Sequence, residues 1–464
     1  MEKQAKELSL PMAFIVLAAI VATLLLCVKG GVGIVVPLFL SWLIIYCFSR
    51  VLGYDYDSIF SAGLDAMRKA AGAIGIMISV GMLVGAMIAA GTIPAFIYYG
   101  LQLLNPKIFL FCCCIITALM ALATGTSYGA AASAGIALMG VGTAMGMPTG
   151  MVAAAVICGA LFGDKISPLS DVPVICSGLV ECDVFQNIKT TLWTSVPSFA
   201  ISCIIFLFLG FRYGGSNYDA TSVNQVLGGL AANFHISVVA LLPIVAVIVL
   251  LILKVPSVPA IMGGAVFSVI IAVCYQGMTP AAVFSCMYKG FSIDTGVAVV
   301  DKLLNRGGIV SMAQNIFILI SAVTLGGMLD ELGVIRAFLK PILPKLNSEP
   351  KIIGATLLTS GLINAVGSAA WLANILTAKL MDPLYKEHNM KPEILARTLE
   401  DAYCFVTIIF PWHAMTIYFT GVLGCTWADY MPYSFFSFIT PVFTMLCAIT
   451  GIGMDHNKKA AASK

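Results

Sequence analysis

Long apolar stretches recur along the whole chain, and short polar stretches separate them. A helix needs about 20 mostly apolar residues to cross a bilayer. The first stretch has no small-residue cleavage site before it, so we expect it to be retained. The pattern predicts an all-α polytopic membrane protein of about 12 membrane segments, at residues 11–28, 31–49, 72–98, 108–123, 147–162, 193–210, 236–253, 255–276, 309–329, 352–365, 402–424 and 434–453.

Two stretches at membrane depth consist of small and polar residues instead of large apolar ones, at positions 125–135 and 363–370. Such backbone can bend back as a re-entrant hairpin that faces protein, or it can pack closely as a helix–helix interface. The sequence leaves both alternatives open. The polar side chains that could line a transport site there are Thr126, Ser127, Asn364 and Ser368.

The two halves of the chain repeat this arrangement. At one common offset, Ser127 falls on Asn364 and Asp164 falls on Asp401. Corresponding interruptions in two halves indicate a secondary transporter built from repeats, with its site where the repeats meet. A channel has no need of such pairing. The units are predicted at residues 1–210 and 236–464, with a polar connection at 211–235; residues 277–308 and 330–351 are predicted to be further solvated connections.

Composition strengthens the membrane interpretation. Hydrophobic residues make up 60% of the chain and charged residues only 10%, and the mean hydropathy is +1.00, whereas soluble domains carry roughly 25% charged residues. A net charge of +3 without a basic stripe argues against nucleic acid as a partner. By the positive-inside rule, cytoplasmic termini are favoured by Lys3, Lys6, Lys458, Lys459 and Lys464.

Cysteine and histidine usage gives no sign of a resident metal or cofactor. The 14 cysteines lie mostly inside apolar stretches and form no CxxC pair, which is typical of small buried apolar side chains. The four histidines are too scattered for a spaced ligand set. Since no pairing of a nucleophile with a base is evident either, we expect no cofactor and no enzymatic reaction.

The stretch Gly-Asp-Lys-Ile-Ser-Pro-Leu-Ser-Asp at 163–171 carries the strongest chemical signal. Asp164 and Lys165 end a run after Lys107 that contains no charged residue. An ionisable group at membrane depth costs roughly 3 kcal/mol or more unless it is paired or lines a watery cavity. Pro168 breaks a helix here and frees backbone carbonyls. The stretch therefore predicts a transport site in which Asp164 holds either a proton or a cation.

The neighbours of Asp164 have alternative roles. Ser167 and Ser170 either supply oxygen ligands or satisfy the backbone groups that the proline frees. Lys165 either pairs with a carboxylate inside the membrane or extends to the interface. Asp171 is a further candidate ligand, although the break in the helix separates it from Asp164.

A second charged stretch, Arg397 to Asp401, occupies the corresponding place in the second half. Arg397 and Asp401 are four residues apart, the spacing of an ion pair on a helix. Glu400 faces another direction on such a helix, so Asp401 is the preferred site residue, and Lys165, Arg397 and Glu400 are candidates for an ion pair or for gating. Tyr403 and His413 follow and are candidates for binding a substrate or a proton. A histidine titrates near neutral pH, which suits this role; alternatively, His413 packs through hydrogen bonds.

These stretches resemble the NhaC-type Na⁺/H⁺ antiporter family over essentially the whole chain. The resemblance rests on GDKISPLSD, on ARTLEDAYCFVTIIFPWHAMTIYFTGVLG and on TSYGAAASAGIALMGVG. It implies the fold of the ion transporter superfamily, with two inverted repeats, re-entrant hairpins and broken helices, and it suggests a homodimer. The residues that match the family motifs are Asp164, Ser167, Ser170, Asp171, Arg397, Glu400 and Asp401.

The chain departs from the family where hydroxyl and amide residues usually follow the motifs. Val172 and Val174 follow Asp171, and His413 stands where asparagine is usual. Na⁺ prefers several hard oxygen ligands, as other hard cations do. Two functions therefore stay open: Na⁺/H⁺ antiport by alternating access at the cell membrane, and Na⁺- or H⁺-coupled transport of a small organic acid of the malate/lactate type or of an amino acid.

Overall fold

The computed structural model describes residues 8–30, 32, 34–213, 220–339, 341, 346–367, 370–406 and 408–454. The secondary structure within these ranges consists of α-helices, short 3₁₀ turns and one π turn. No strand occurs there, which confirms the all-α prediction. The following residues of the predictions lie outside the described ranges: Ser368, Lys3, Lys6, Lys458, Lys459 and Lys464.

Twenty-three α-helices are described: α1 Leu10–Lys29, α2 Val35–Leu52, α3 Tyr56–Ala89, α4 Thr92–Leu103, α5 Phe109–Thr124, α6 Ser127–Ala130, α7 Ile136–Ala144, α8 Thr149–Lys165, α9 Asp171–Leu179, α10 Val184–Tyr213, α11 Ala220–Asn233, α12 Leu242–Ile252, α13 Ser257–Cys274, α14 Pro280–Lys289, α15 Ala298–Leu304, α16 Ile309–Glu331, α17 Val334–Leu339, α18 Glu349–Gly367, α19 Ala370–Glu387, α20 Pro392–Val406, α21 Ala414–Leu423, α22 Trp427–Tyr430 and α23 Phe435–Thr450. A π turn at Ala131–Gly135 joins α6 to α7.

Six of the described helices are long and apolar enough to cross a membrane. Two further pairs of helices are bent, one by 90° and one by 44°, and they raise the number to eight if each pair is one span. The protein is therefore a multi-pass membrane protein. Breaks account for the shorter helices: the predicted segment 402–424, for example, is divided between α20 and α21 on either side of Pro411.

The boundaries of α3 differ most from the sequence prediction. A segment was predicted at 72–98, whereas α3 begins at Tyr56 and ends at Ala89. Asp55 caps its start by accepting a hydrogen bond from the Ser58 amide at 3.2 Å. Charged side chains in its first turns, including Lys69, lower the local hydropathy, so the apolar pattern shows only the second part of the helix.

Helices α5 and α8 pack closely and fix the end of α8. A Cβ atom on Gly159 or Gly163 would overlap the carbonyl oxygens of Cys114 and Ala118. Small residues at these positions let the two helix backbones touch. The first small-residue stretch is helical as α6, the π turn and α7, and it packs against α5, α8 and α21.

Helix α20, which carries the second charged stretch, lies among other helices. It packs against α9, α10, α18, α19 and α23, and α10 also contacts α8 and α23. These contacts bring the end of α8 next to the middle of α20. The two charged stretches therefore meet in the interior.

Candidate functional site

The two charged stretches meet in a buried ion pair. Lys165 Nζ, at the end of α8, contacts Asp401 Oδ1 in α20. The Lys165 side chain is 1% exposed and the Asp401 side chain 0%. Of the two alternatives for Lys165, the structure has the pairing with a membrane carboxylate. The pair joins the first half of the chain to the second.

Asp401 also accepts hydrogen bonds from two threonines. Thr194 Oγ1 on α10 donates to Oδ1 at 3.0 Å, and Thr444 Oγ1 on α23 donates to Oδ2 at 2.7 Å. Both threonines are fully buried. A buried ion pair is tolerated only when hydrogen bonds satisfy its remaining lone pairs. The threonines meet this requirement.

Glu400 lies beside Asp401 and is fully buried too. Asn187 Nδ2 donates to Oε1 at 2.6 Å, and Thr191 Oγ1 donates to Oε2 at 3.1 Å. We expected Glu400 to face away from Asp401. Instead both carboxylates contact α10, because side chains on successive turns of that helix donate to Glu400 and to Asp401. We call Asp164, Lys165, Glu400 and Asp401 the buried charged cluster.

Arg397 takes no part in an ion pair with Asp401, so that prediction is wrong. Its guanidinium donates from Nη1 to the Gly453 carbonyl at 2.9 Å, and Nη2 lies 3.3 Å from Met454 Sδ. A spacing of four residues permits an ion pair but does not impose it. Here Lys165 approaches Asp401 from another helix, and Arg397 binds the chain that follows α23.

Asp164 lies at the end of α8 and is 4% exposed. Ser170 Oγ donates to Asp164 Oδ1 at 2.6 Å and also accepts from the Val172 amide at 3.1 Å, which caps α9. The hydroxyl and amide of Ser127 lie beside the same carboxylate. The Ser127 hydroxyl is buried and has no hydrogen bond of normal geometry within the described residues.

Two other predicted ligands satisfy backbone groups. Ser167 Oγ donates to the Leu122 carbonyl at 2.8 Å and so ties the loop after α8 to α5. Thr126 caps α6 by accepting from the Gly129 amide at 3.5 Å. For Ser167 the structure therefore favours the structural alternative, while Ser170 contacts both the backbone and Asp164.

His413 and Asn364 hold each other in place. His413 Nδ1 accepts from the Met415 amide at 3.2 Å and caps α21, so a neutral imidazole with its proton on Nε2 fits the site. That Nε2 lies 3.2 Å from Asn364 Oδ1. Asn364 Nδ2 donates to the Ser360 carbonyl at 2.9 Å. Tyr403 Oη donates to Met415 Sδ at 3.3 Å.

The polar face of α10 was not predicted. The sequence prediction covered only residues 193–210 of this helix, as an apolar segment, yet the buried polar residues of the helix recur at intervals of three or four. Such spacing places them on one face of a helix, and it could have revealed the partners of Glu400 and Asp401. The residues on this face are Asn187, Thr191, Thr194, Ser198 and Ser202, all fully buried.

A cavity of about 200 Å³ lies next to the buried charged cluster. Polar and aromatic side chains line it together with apolar ones. The tyrosines of its wall, Tyr128 and Tyr403, are close enough to Asp164 to interact with its charge. Val172 lines the cavity, whereas Val174 does not and is 46% exposed. The polar lining residues are Lys69, Tyr128, Asp171, Asn374, Tyr403 and His413.

No group of three or more histidine, cysteine or acidic side chains with the arrangement of a metal site occurs among the described residues. The carboxylates of the buried charged cluster have amide, hydroxyl and ammonium partners instead. The arrangement suits the transient binding of a monovalent cation or a proton.

Comparisons with known proteins agree with the geometry. The profile of the Na⁺/H⁺ antiporter family matches residues 159–452. The chain is 37% identical to the "Malate-2H(+)/Na(+)-lactate antiporter" of Bacillus subtilis over 99% of both chains. It is 35% identical to the "Na(+)/H(+) antiporter NhaC" of Alkalihalophilus pseudofirmus over 92% of both chains. It is 30% identical to the "Arginine/ornithine antiporter ArcD" of Halobacterium salinarum, over 86% of this chain and 83% of that one.

Proposed function

Because the chain belongs to the Na⁺/H⁺ antiporter family, we propose that it is a secondary active transporter of the cell membrane that exchanges Na⁺ for H⁺ by alternating access. The family match agrees with the resemblance noted in the sequence. The observation that carries the proposal is the buried charged cluster, in which residues from both halves of the chain meet through Lys165 and Asp401.

The charges of the cluster are suited to exchange. Of its three carboxylates, only Asp401 contacts a cation within the described residues. Asp164 and Glu400 have neutral donors. An isolated ionised carboxylate in a medium of low dielectric is costly, and either a proton or a bound cation removes the cost. Asp164 and Glu400 are thus the carboxylates of the cluster whose charge a proton or a bound cation can neutralise.

Asp164 has the better surroundings for Na⁺. Hard cations take oxygen ligands, and two hydroxyls, from Ser127 and Ser170, lie at this carboxylate. The Ser127 hydroxyl lacks a regular hydrogen bond within the described part of the chain, so its lone pairs are available to a cation. At Glu400, by contrast, the neighbouring Asn187 amide and Thr191 hydroxyl both have hydrogen-bond partners. We assign Na⁺ to Asp164, and to Glu400 only a proton.

The wider architecture follows from the same arrangement. Two inverted repeats at 1–210 and 236–464, with 211–235 between them and about 12 membrane segments in all, would place the Lys165–Asp401 contact at the junction of the repeats. The break at Gly125, where φ is 68°, supports a re-entrant hairpin over residues 125–135. A homodimer and cytoplasmic termini belong to the same proposal.

Coupled transport of a small organic acid or an amino acid is the second candidate function. The observation that favours it is the cavity beside Asp164, which a Na⁺ site alone does not require. Relatives named for malate and lactate and for arginine and ornithine support an organic solute. In this alternative the buried charged cluster supplies the coupling and the cavity holds the solute.

Proteoliposomes test the proposal. A Na⁺ gradient should drive H⁺ movement, recorded with an internal pH dye, in wild-type protein without added organic solute. Asp164→Asn, which removes the charge at nearly constant volume, should abolish the exchange. The matched control Glu181→Gln alters an exposed acid and should exchange normally. Normal Na⁺-driven H⁺ flux in a folded Asp164→Asn protein would overturn the assignment.

A further inference from the structure

The cavity beside Asp164 holds charged groups of both signs. Lys69 projects from α3 and Asp171 begins α9, and both side chains are exposed. His413 uses Nδ1 as an acceptor, which an imidazolium cannot do, so it contributes no charge in this arrangement. One ammonium and one carboxylate thus make the charged lining neutral as a whole.

Asn374 adds a buried acceptor to the cavity. Its side chain is 4% exposed, and its Oδ1 has no hydrogen-bond partner among the described residues. Its Nδ2 donates to Cys176 Sγ at 3.4 Å, which orients the amide. A buried carbonyl oxygen without a donor is costly. A ligand with N–H groups would supply the missing donor.

The remaining lining of the cavity is apolar or aromatic, and the cavity itself is small. Ala70, Ala73, Val172 and Val323 contribute aliphatic surface. A volume of about 200 Å³ is below the roughly 300–1,000 Å³ of sites for drug-sized ligands. The cavity therefore suits a solute of a few non-hydrogen atoms with a short side chain.

We propose that this cavity binds a small zwitterionic α-amino acid. Its carboxylate pairs with Lys69, its ammonium donates to Asp171 and to Asn374 Oδ1, and its side chain lies against the alanine and valine surface. A dicarboxylate such as malate would face one ammonium and also one carboxylate, which repels it. A zwitterion matches both charges, and this match decides between the two classes of organic solute.

The position of the cavity gives the amino acid a role in transport, and this part rests on the proposed antiport. Tyr128 and Tyr403 line the cavity and interact with Asp164. A solute in the cavity therefore lies near the cation site, with Tyr128 and Tyr403 in the cavity wall close to Asp164. Occupancy of one site changes the electrostatic environment of the other, which couples the amino acid to Na⁺ or H⁺ movement.

Equilibrium binding to the full-length protein in detergent tests the site. L-alanine, L-serine, L-threonine, malate and lactate are titrated separately in a Na⁺-free buffer up to about 10 mM. We expect at least one of the amino acids to bind more tightly than malate and lactate. Lys69→Met and Asp171→Asn should each weaken that binding by about tenfold or more, because each removes a charged partner. Lys386→Gln, an exposed lysine on α19, is the matched control and should bind normally.

Three results would overturn the inference. The first is no binding of any of the three amino acids, and the second is tighter binding of malate or lactate. The third is amino-acid binding that neither Lys69→Met nor Asp171→Asn weakens in folded protein. Binding without Na⁺ reports the cavity alone, whereas Na⁺/H⁺ exchange without amino acid reports the buried charged cluster alone. Failure of the cavity assignment is therefore distinguishable from failure of the proposed antiport.

Discussion

The buried charged cluster and the neighbouring cavity are both polar, but their polar groups are satisfied in different ways. In the cluster, the carboxylates of Glu400 and Asp401 receive protein donors on both oxygens. In the cavity, Lys69 and Asp171 are exposed, and a buried Asn374 oxygen lacks a donor among the described residues. At Glu400 and Asp401 the protein itself supplies the donors, whereas in the cavity the Asn374 oxygen can accept from a solute.

This difference follows from the cost of burying charge. Ions removed from water need partners supplied by the protein, or they need a proton or a bound cation. Threonine and asparagine side chains of α10 and α23 therefore donate hydrogen bonds to the carboxylates of Glu400 and Asp401. Lys69 and Asp171 lie at the exposed side of the cavity, where contact with the surroundings helps to solvate their charges. Substitutions in the two regions should accordingly differ in their effect on folding.

The largest loss of stability should come from breaking the buried ion pair. Lys165→Met leaves Asp401 as a buried carboxylate without its cation, which should lower the free energy of unfolding by about 3–5 kcal/mol. Adding Asp401→Asn should recover part of this loss, because no isolated charge remains. Thermal and denaturant unfolding of the purified proteins in detergent measures the loss in Lys165→Met and the recovery in the double variant.

The pair of exposed Lys386 with partly buried Asp382, in which the nitrogen and oxygen are 2.7 Å apart, is the control for this experiment. Lys386→Met should change the free energy of unfolding far less than Lys165→Met, because Lys386 is exposed and water solvates its ammonium. Equal losses for Lys165→Met and Lys386→Met would contradict the distinction between a sequestered cluster and an exposed surface.

Arg397 should behave as a structural residue outside the cluster. Arg397→Met removes the hydrogen bond to the Gly453 carbonyl and should cost about 1–3 kcal/mol. Since Arg397 and Asp401 do not contact each other, its effect on unfolding should add to that of Asp401→Asn. A coupling energy well above about 0.5 kcal/mol between the two substitutions would contradict this account and support the ion pair that was predicted from the sequence.

Glu400→Gln should change transport more than stability. Its partners Asn187 and Thr191 are neutral, and a carboxamide of the same shape removes a desolvated charge while it keeps an acceptor oxygen. We expect the free energy of unfolding to change by no more than about 1 kcal/mol, and fewer H⁺ to be exchanged per Na⁺. The ratio is measured from parallel ²²Na⁺ and pH-dye fluxes. An unchanged ratio would remove Glu400 from the exchange.

The smallest effect is expected at the border of the cavity. His413→Asn keeps a side chain that caps helices well and should leave stability nearly unchanged, whereas His413→Ala should cost about 0.5–2 kcal/mol. Na⁺/H⁺ exchange at several pH values should be similar in His413→Asn and wild type. A large shift in the pH dependence would give His413 the proton-binding role that its hydrogen bonds argue against.

The sequence predicted the helical class and the residues of the first charged stretch, because long apolar runs and charges at membrane depth are local signals. It could not predict which cation reaches Asp401. Lys165 and Arg397 are both candidate partners in the sequence, and only the packing of α10 against both α8 and α20 brings Lys165 to Asp401.

Helix boundaries were hardest to predict where charge and apolarity share one helix. The first turns of α3 carry Asp57, Asp65, Arg68 and Lys69, so hydropathy located only its second part. The roles proposed here for Asn374 and Lys69 were not predicted from the sequence, for a related reason. A cavity forms between helices that are distant in sequence, and a single lysine or asparagine gives no pattern that indicates it.

Proton release on Na⁺ binding tests the central claim, that Asp164 holds H⁺ and Na⁺ in turn. Concentrated NaCl is added to purified protein in weakly buffered detergent solution without organic solute, with choline chloride as the salt control, and a pH dye records released H⁺. Wild-type protein and Glu181→Gln should release protons on addition of Na⁺ and not of choline, and Asp164→Asn should release far fewer. Equal Na⁺-dependent release by folded Asp164→Asn and wild-type protein would contradict the claim.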